Sequence, residues 1–230
     1  MNGPLDDLEE IVAKCKKCPL HCSRNNSVFG RGRADAPLML IGGAPGKSED
    51  KQGYPFARFK DHLSGLLRAS GVREDDVYMT SVLKCLPPSF RFPDGAPPET
   101  CRKYLLQQIE IVKPSAIICA GQEALQYVLL HGTTDDPNPF TPWTNKIFRR
   151  KDLYGDVRVL VVYEPGYLAK QSDEEDEECW VQAVSELWSY VKHKRAGTAP
   201  APLPFTEIKP PPVGPRQGRN LFSMKRKDAL

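Results

Sequence analysis

Two groups of residues in this 230-residue chain have the types and spacing that chemistry needs. The first is sulfur. Cys15 and Cys18 form a Cys-x2-Cys pair, Cys22 follows shortly after, and Cys85 and Cys101 lie far downstream. Such a pair places two thiolates within reach of one metal ion or cluster, and two further ligands close the site. Cys85 and Cys101, each beside turn-forming residues, are the candidates. Cys119 sits in an apolar run and reads as a buried strand residue, and Cys179 reads as helix packing. Seven cysteines, an odd number, behind an acidic and polar N-terminus with no signal-peptide core argue for metal ligation or reduced thiols over disulfides. The second group is a turn. The apolar run Leu38, Met39, Leu40, Ile41 enters Gly42-Gly43-Ala44-Pro45-Gly46, then the acidic pair Glu49-Asp50 and the loop Gly53-Tyr54-Pro55-Phe56. Glycines let the backbone turn and approach a ligand closely, and Phe56 offers a flat face to a nucleobase. The spacing of a nucleotide-binding Gly-x4-Gly-Lys-[Ser/Thr] loop is absent, so a plain strand-to-helix turn accounts for the glycines equally well.

The elements that must position these residues alternate. Apolar periodicity predicts helices near 5–14, 59–70, 99–112, 122–130 and 173–193, with Cys101 in the first turn of the third. Strands are predicted near 38–41, 76–83, 115–120, 146–149 and 157–163, the last two as a hairpin around Tyr154-Gly155-Asp156. Prolines 87 and 88 stop the second strand, a Pro-rich loop spans 90–98, and 131–142 reads as irregular. Strands alternating with helices predict a parallel α/β sandwich. The hydrophobic content of 40% is ordinary for a soluble domain, and the length suits one core over 1–195. No apolar run approaches the ~18 residues of a membrane span, so a cytoplasmic protein, or a nuclear one in a nucleated cell, is expected. Residues 196–230 differ in kind. They hold seven of the 22 prolines, and from Gly197 onward carry a net charge of +4, which leaves −1 for the rest. A disordered basic tail is expected there, and bulk charge on the body gives no argument for nucleic acid.

In order along the chain, these pieces resemble a family-four uracil-DNA glycosylase, the iron–sulfur branch of its superfamily. The matching residues are Cys15-x2-Cys18, Val28-Phe29-Gly30-x-Gly32, Ile41-Gly42-x-Ala44-Pro45-Gly46-x2-Glu49-Asp50 and Gly53-x-Pro55-Phe56. Val77-Tyr78-x-Thr80, Lys84-Cys85-x-Pro87-Pro88, Cys101, Gln108-Ile109, Pro114, Gly121 and Pro165-x-Tyr167-Leu168 complete them. The resemblance implies a three-layer α/β/α sandwich around a mainly parallel four-stranded sheet. It implies a [4Fe–4S] cluster on Cys15, Cys18, Cys85 and Cys101, with a structural role; zinc on the same thiols is the alternative. It implies DNA as partner, a monomer, and a base pocket of Ala44, Pro45, Asp50 and Phe56. The segment 164–170 would be the loop that enters the minor groove, with Tyr167 in it, Leu168 as apolar wedge and Lys170 on a phosphate.

Three positions depart from the family pattern, all at the catalytic pocket. Gly43 stands where the family has an acidic residue, Ser81 where it has Asn, and Glu164 where it has His. Gly43 cannot place water or steady a sugar cation, and leaves room for a bulky base substituent. Ser81 has one hydroxyl where an amide would pair twice with a base edge. An ionised Glu164 would repel the charge that develops on a departing base. Two readings follow. The protein is a glycosylase retuned for a base other than plain uracil, with Glu164 accepting a hydrogen bond, activating water or steadying the sugar. The alternative is an inactive glycosylase fold kept for binding DNA or another protein.

Overall fold

The structure is a computed structural model that describes residues 3–88, 92–93, 96–130, 140–150, 157–171, 174–198 and 206–207. Four short runs, β1 (Leu38–Gly42), β2 (Val77–Ser81), β3 (Ala116–Ala120) and β5 (Val157–Val162), are buried at every residue. Burial on both faces is what a covered parallel sheet requires. They pair in the order β2-β1-β3-β5, all parallel. This is the expected four-stranded sheet. The sheet is longer than expected, because β4 (Lys146–Arg150) joins antiparallel to β5 and a two-residue β6 (Thr206–Glu207) adds to β4. The predicted hairpin turn at 154–156 lies outside the described residues.

Side-chain alternation sends the strands into two cores. Leu38, Leu40, Ile118 and Leu160 meet Leu63 and Leu67 of α3 (Lys60–Ala69) and Trp180 and Leu187 of α7 (Glu174–Ala196). Met39, Ile41, Ile117 and Val159 face the other way, onto Leu105 and Ile109 of α4 (Ala96–Val112) and Leu125 and Val128 after β3. The result is three layers. The N-terminal helix α1 (Pro4–Ala13) closes a smaller cluster in which Leu8 and Val12 meet Phe29 and Tyr104.

A buried polar network ties the end of β2 to its surroundings. Lys84 is 1% exposed, and its Nζ donates to Thr80 Oγ1, the Ser81 carbonyl and Gln108 Oε1, each at 2.6 Å. Gln108 Nε2 in turn donates to the Phe29 carbonyl and to Tyr78 Oη. A buried amine with three acceptors is satisfied, and its loss would weaken a network that Thr80 Oγ1 also joins through the Phe29 carbonyl and Gln108 Oε1. The network fixes Ser81 and the start of the segment that carries Cys85.

Two elements differ from expectation. The helix after β3 is regular only over α5 (Gln122–Ala124) and then widens into a π turn over Leu125–Leu129. The segment expected as a loop after β5 is a helix, α6 (Pro165–Gln171). Between β1 and α3, residues Lys47–Gln52 form the short helix α2. Helix α7 ends at Ala196, and of the segment beyond Thr198 only β6 is described. Among the described residues no helix is long and apolar enough to cross a membrane.

Candidate functional site

The chain leaves β1 toward β2 on one side and later returns to β3 on the other. Between the C-terminal ends of β1 and β3 the connections therefore diverge, and a crevice opens there, the usual ligand position in such sheets. Beside it the structure has a cleft of about 820 Å³, walled by residues at and after the C-terminal ends of β1, β2 and β5. Ala44, Pro45, Phe56, Ser81, Glu164, Tyr167 and Lys170 all line it. Distant parts of the sequence thus meet as the motifs anticipated. Gly42 and Ser81 are direct partners across β1 and β2.

Phe56 is held in a left-handed backbone conformation, φ 57°, uncommon outside glycine and costly unless its surroundings enforce it. Its ring lies flat enough on the turn that a Cβ on Gly42 would come within 3.0 Å of Phe56 Cζ. Gly42 is glycine because the ring needs that approach. Glu49 braces the same loop from α2. Its two carboxylate oxygens accept the backbone N–H of Gly46 at 3.0 Å and of Arg58 at 2.8 Å.

Asp50 is not brought into the cleft. It is 1% exposed and accepts the backbone N–H groups of Asn25 and Asn26 and the Asn25 side-chain amide. Its carboxylate ties the N-terminal loop to α2.

Glu164 faces the cleft opposite this loop. Burial, then the charges of Glu123 and Glu49, push its carboxyl up to about 7, against the pull of Lys170. Glu164 is nonetheless exposed at the cleft surface, so solvent screens much of that push; a seated base would remove the screen. A carboxyl raised in this way holds its proton to higher pH than a free glutamate, and the protonated form donates a hydrogen bond where the ionised form expected from the sequence would repel. Lys47, Arg58 and Lys170 stand around the same opening, so anionic phosphates meet cations there.

The cysteines meet at the opposite side of the turn. Cys18, Cys85 and Cys101 share one cluster with Leu20 and Leu83, and Cys15 borders it beside Tyr104. Arg24 donates to Cys85 Sγ at 3.1 Å and Tyr104 Oη to Cys15 Sγ at 3.4 Å. Burial pushes the Cys85 thiol up and Arg24 pulls it down, while Cys18 and Cys15 are close enough to push it up again. Among the described residues no group of three or more His, Cys, Asp or Glu is gathered closely enough to hold a metal ion. The chemistry of the set is that of a thiolate site: sulfur donors, with an N–H donor on Cys85 and an O–H donor on Cys15 of the kind that support ligating sulfur. Cys22 and Cys179 are exposed and stand apart, Cys179 contrary to the packing role expected of it; Cys119 is buried in β3 as expected.

The family model described as the uracil DNA glycosylase superfamily matches residues 29–188. The chain belongs to that superfamily. A type-4 uracil-DNA glycosylase of Thermotoga maritima is 34% identical over 193 residues, which is 82% of this chain and 95% of the relative. One of Archaeoglobus fulgidus is 35% identical over 166 residues, 70% of this chain and 81% of the relative. One of Pyrobaculum aerophilum reaches 45% over a shorter span of 118 residues, 51% of this chain and 60% of the relative.

Within this superfamily member, two expectations at the cleft need correction. Leu168 is 0% exposed, packed in the core beneath α6, so it is not an apolar wedge. The helical turn rotates it inward and leaves its neighbour Tyr167 out, 42% exposed. Tyr167 stacks on Tyr163 at 4.9 Å between ring centroids, and Tyr163 meets Phe140 edge-on at 5.7 Å. This aromatic ladder at the cleft rim was missed, because Tyr163 read as the end of a strand. The second correction concerns Gly43. The space above it is not free for a base substituent: a Cβ there would lie 3.1 Å from Glu123 Cβ and 3.2 Å from Glu123 Oε2. Glu123 carries no motif in the sequence, and only the fold brings it here.

Proposed function

We propose that the protein is a DNA glycosylase that takes a flipped base into this cleft and hydrolyses its N-glycosidic bond. The observation that carries the reading is the cleft itself. A stacking ring on a strained backbone (Phe56), a hydroxyl (Ser81) and a protonatable carboxyl (Glu164) line one volume, with cations at its mouth. Enzymes that act on a base must hold it out of the stack, read its edge and bind the flanking phosphates, and these groups suit those tasks. The preferred base is one other than plain uracil. Ser81 offers one hydroxyl to the base edge, so it cannot make the paired contacts of an amide. The test is a base-release screen on duplexes carrying uracil, hypoxanthine and bulky modified pyrimidines. Release of a modified base faster than uracil is expected. No release from any duplex would leave the noncatalytic binding role.

Cys15, Cys18, Cys85 and Cys101 are the residues that would hold a [4Fe–4S] cluster. Bound there, the group supplies a covalent cross-link between the end of α1 and the segment joining β2 to α4. Anaerobically purified protein is expected to be brown with roughly four irons per chain. One zinc in a colourless protein would replace the cluster with the zinc alternative.

A further inference from the structure

Gly43 is not required by its backbone, since its φ is outside the left-handed region that favours glycine. What crowds a side chain there is Glu123, which a Cβ would meet at 3.1 Å from its Cβ and 3.2 Å from its Oε2. The two positions flank the divergence between β1 and β3, Gly43 just after the first strand and Glu123 just after the second. Glu164 closes the third side. A Cβ on Gly121 would lie 3.7 Å from Glu123 Oε2 and 3.8 Å from Glu164 Cβ, so the two glutamates border the same point. Neither carboxyl has a hydrogen bond or ion pair to any described residue. Glu49, the third carboxylate nearby, is different: backbone N–H groups occupy both of its oxygens. Two such carboxyls at the edge of a ligand crevice, Glu164 exposed and Glu123 half-buried, repel one another, and serve chemistry that needs one acid and one anion.

We propose that Glu123 and Glu164 form the catalytic pair of this cleft, Glu123 as the carboxylate that receives the proton of the attacking water and faces the developing sugar cation, and Glu164 as the acid that protonates the departing base. The inference rests on the glycosylase reading above. The step balances without a co-reactant. The C1′–N bond breaks and its electron pair leaves on the base, which takes the Glu164 proton. Water adds to C1′ and gives its proton to Glu123. Transfer of that proton from Glu123 back to Glu164 restores the pair. The charged groups that bear on Glu164 are Glu123 and Glu49, which favour its protonated form, and Lys170, which opposes it. The pair requires no side chain at position 43, which is why the turn carries Gly43-Ala44.

The test moves the carboxylate. Glu123→Ala should lower single-turnover base release by at least ~10², the usual worth of a general base. Gly43→Glu alone should also lose activity, because the new side chain meets Glu123. The double variant Glu123→Ala with Gly43→Glu should recover release to within about tenfold of wild type, since either position delivers a carboxylate to the crevice. Independently of activity, carbon-13 NMR titration of the Glu164 carboxyl should show its midpoint fall in Glu123→Ala, as the neighbouring charge is removed. A midpoint that does not move, or a double variant as slow as Glu123→Ala alone, overturns the pair. Failure of the wild type to release any base overturns the glycosylase reading instead, and the titration still decides whether the two carboxyls are coupled.

Discussion

Among the described residues the cleft has a counterpart of similar size. A groove of about 920 Å³ runs between α3 and α7, against about 820 Å³ at the strand ends. The groove is lined by Asp61, Glu174, Glu177, Glu178 and Glu186, with His62 paired to Glu177 at 3.5 Å. The cleft has Lys47, Arg58 and Lys170 at its mouth and its carboxyls within. Volume is a by-product of how helices lie across a sheet. The flanks of two helices present whatever their solvent faces carry, here acid that repels a phosphate backbone. Parallel strand ends instead aim several loops at one point, so polar groups from distant sequence converge. Convergence and the sign of the rim charge, and not size, mark the cleft as the place where DNA would bind.

Substitutions can break this contrast. The largest effect is expected from Cys85→Ser, because Pro87 in the cleft wall is anchored two residues away. The melting temperature should fall by about 10 °C as metal-dependent cross-linking is lost. An unchanged melting temperature with unchanged iron would remove Cys85 from the ligand set. Next comes Phe56→Ala, which deletes the stacking face and should lower kcat/KM by roughly 10–10². Val181→Ala, in the acidic groove, should leave kcat/KM unchanged; equal losses from both would show that Phe56 acts only through packing. A smaller effect is expected from Lys170→Ala, which should reduce the salt slope of DNA binding by about one. Glu177→Gln with Glu178→Gln should leave that slope alone, and a slope that changes there would place DNA across the groove.

The smallest effect is one of pH on stability. The folded chain keeps the Glu164 proton up to about 7, whereas an unfolded chain loses it near 4.5. Between those values the folded state binds more protons, so stability falls as pH rises through the window. Cleft solvent screens the group, so the melting temperature should drop by only about 2 °C across it. Glu164→Gln should flatten that part of the curve in a calorimetric series. A wild-type curve without the slope would mean that Glu164 ionises normally.

Much of the fold was legible because its signals are local. Leu38 to Ile41 and Ala116 to Ala120 are apolar at every position, which only a doubly covered strand explains. The four cysteines were chosen from spacing and flanking turns; the fold packs Cys18, Cys85 and Cys101 in one cluster and Cys15 against the neighbouring one. The motif residues Ala44, Pro45, Phe56, Ser81 and Glu164 do line one cleft. What stayed hidden depends on partners distant in sequence. Whether Leu168 points to DNA or to the core turns on α6 being helical and on the core beneath it, and the Pro-Gly start of that segment read as loop. Whether Asp50 meets a base or a backbone depends on Asn25 and Asn26. Gly43, read alone, was a missing carboxylate; folded, it is the space into which Glu123 reaches across from β3. Local periodicity is written in each segment, so the sequence by itself determined the parallel strands and the long helices. The charges that bear on Glu164, Glu123 first among them, gather only once the strand ends converge, and only the tertiary structure decided them.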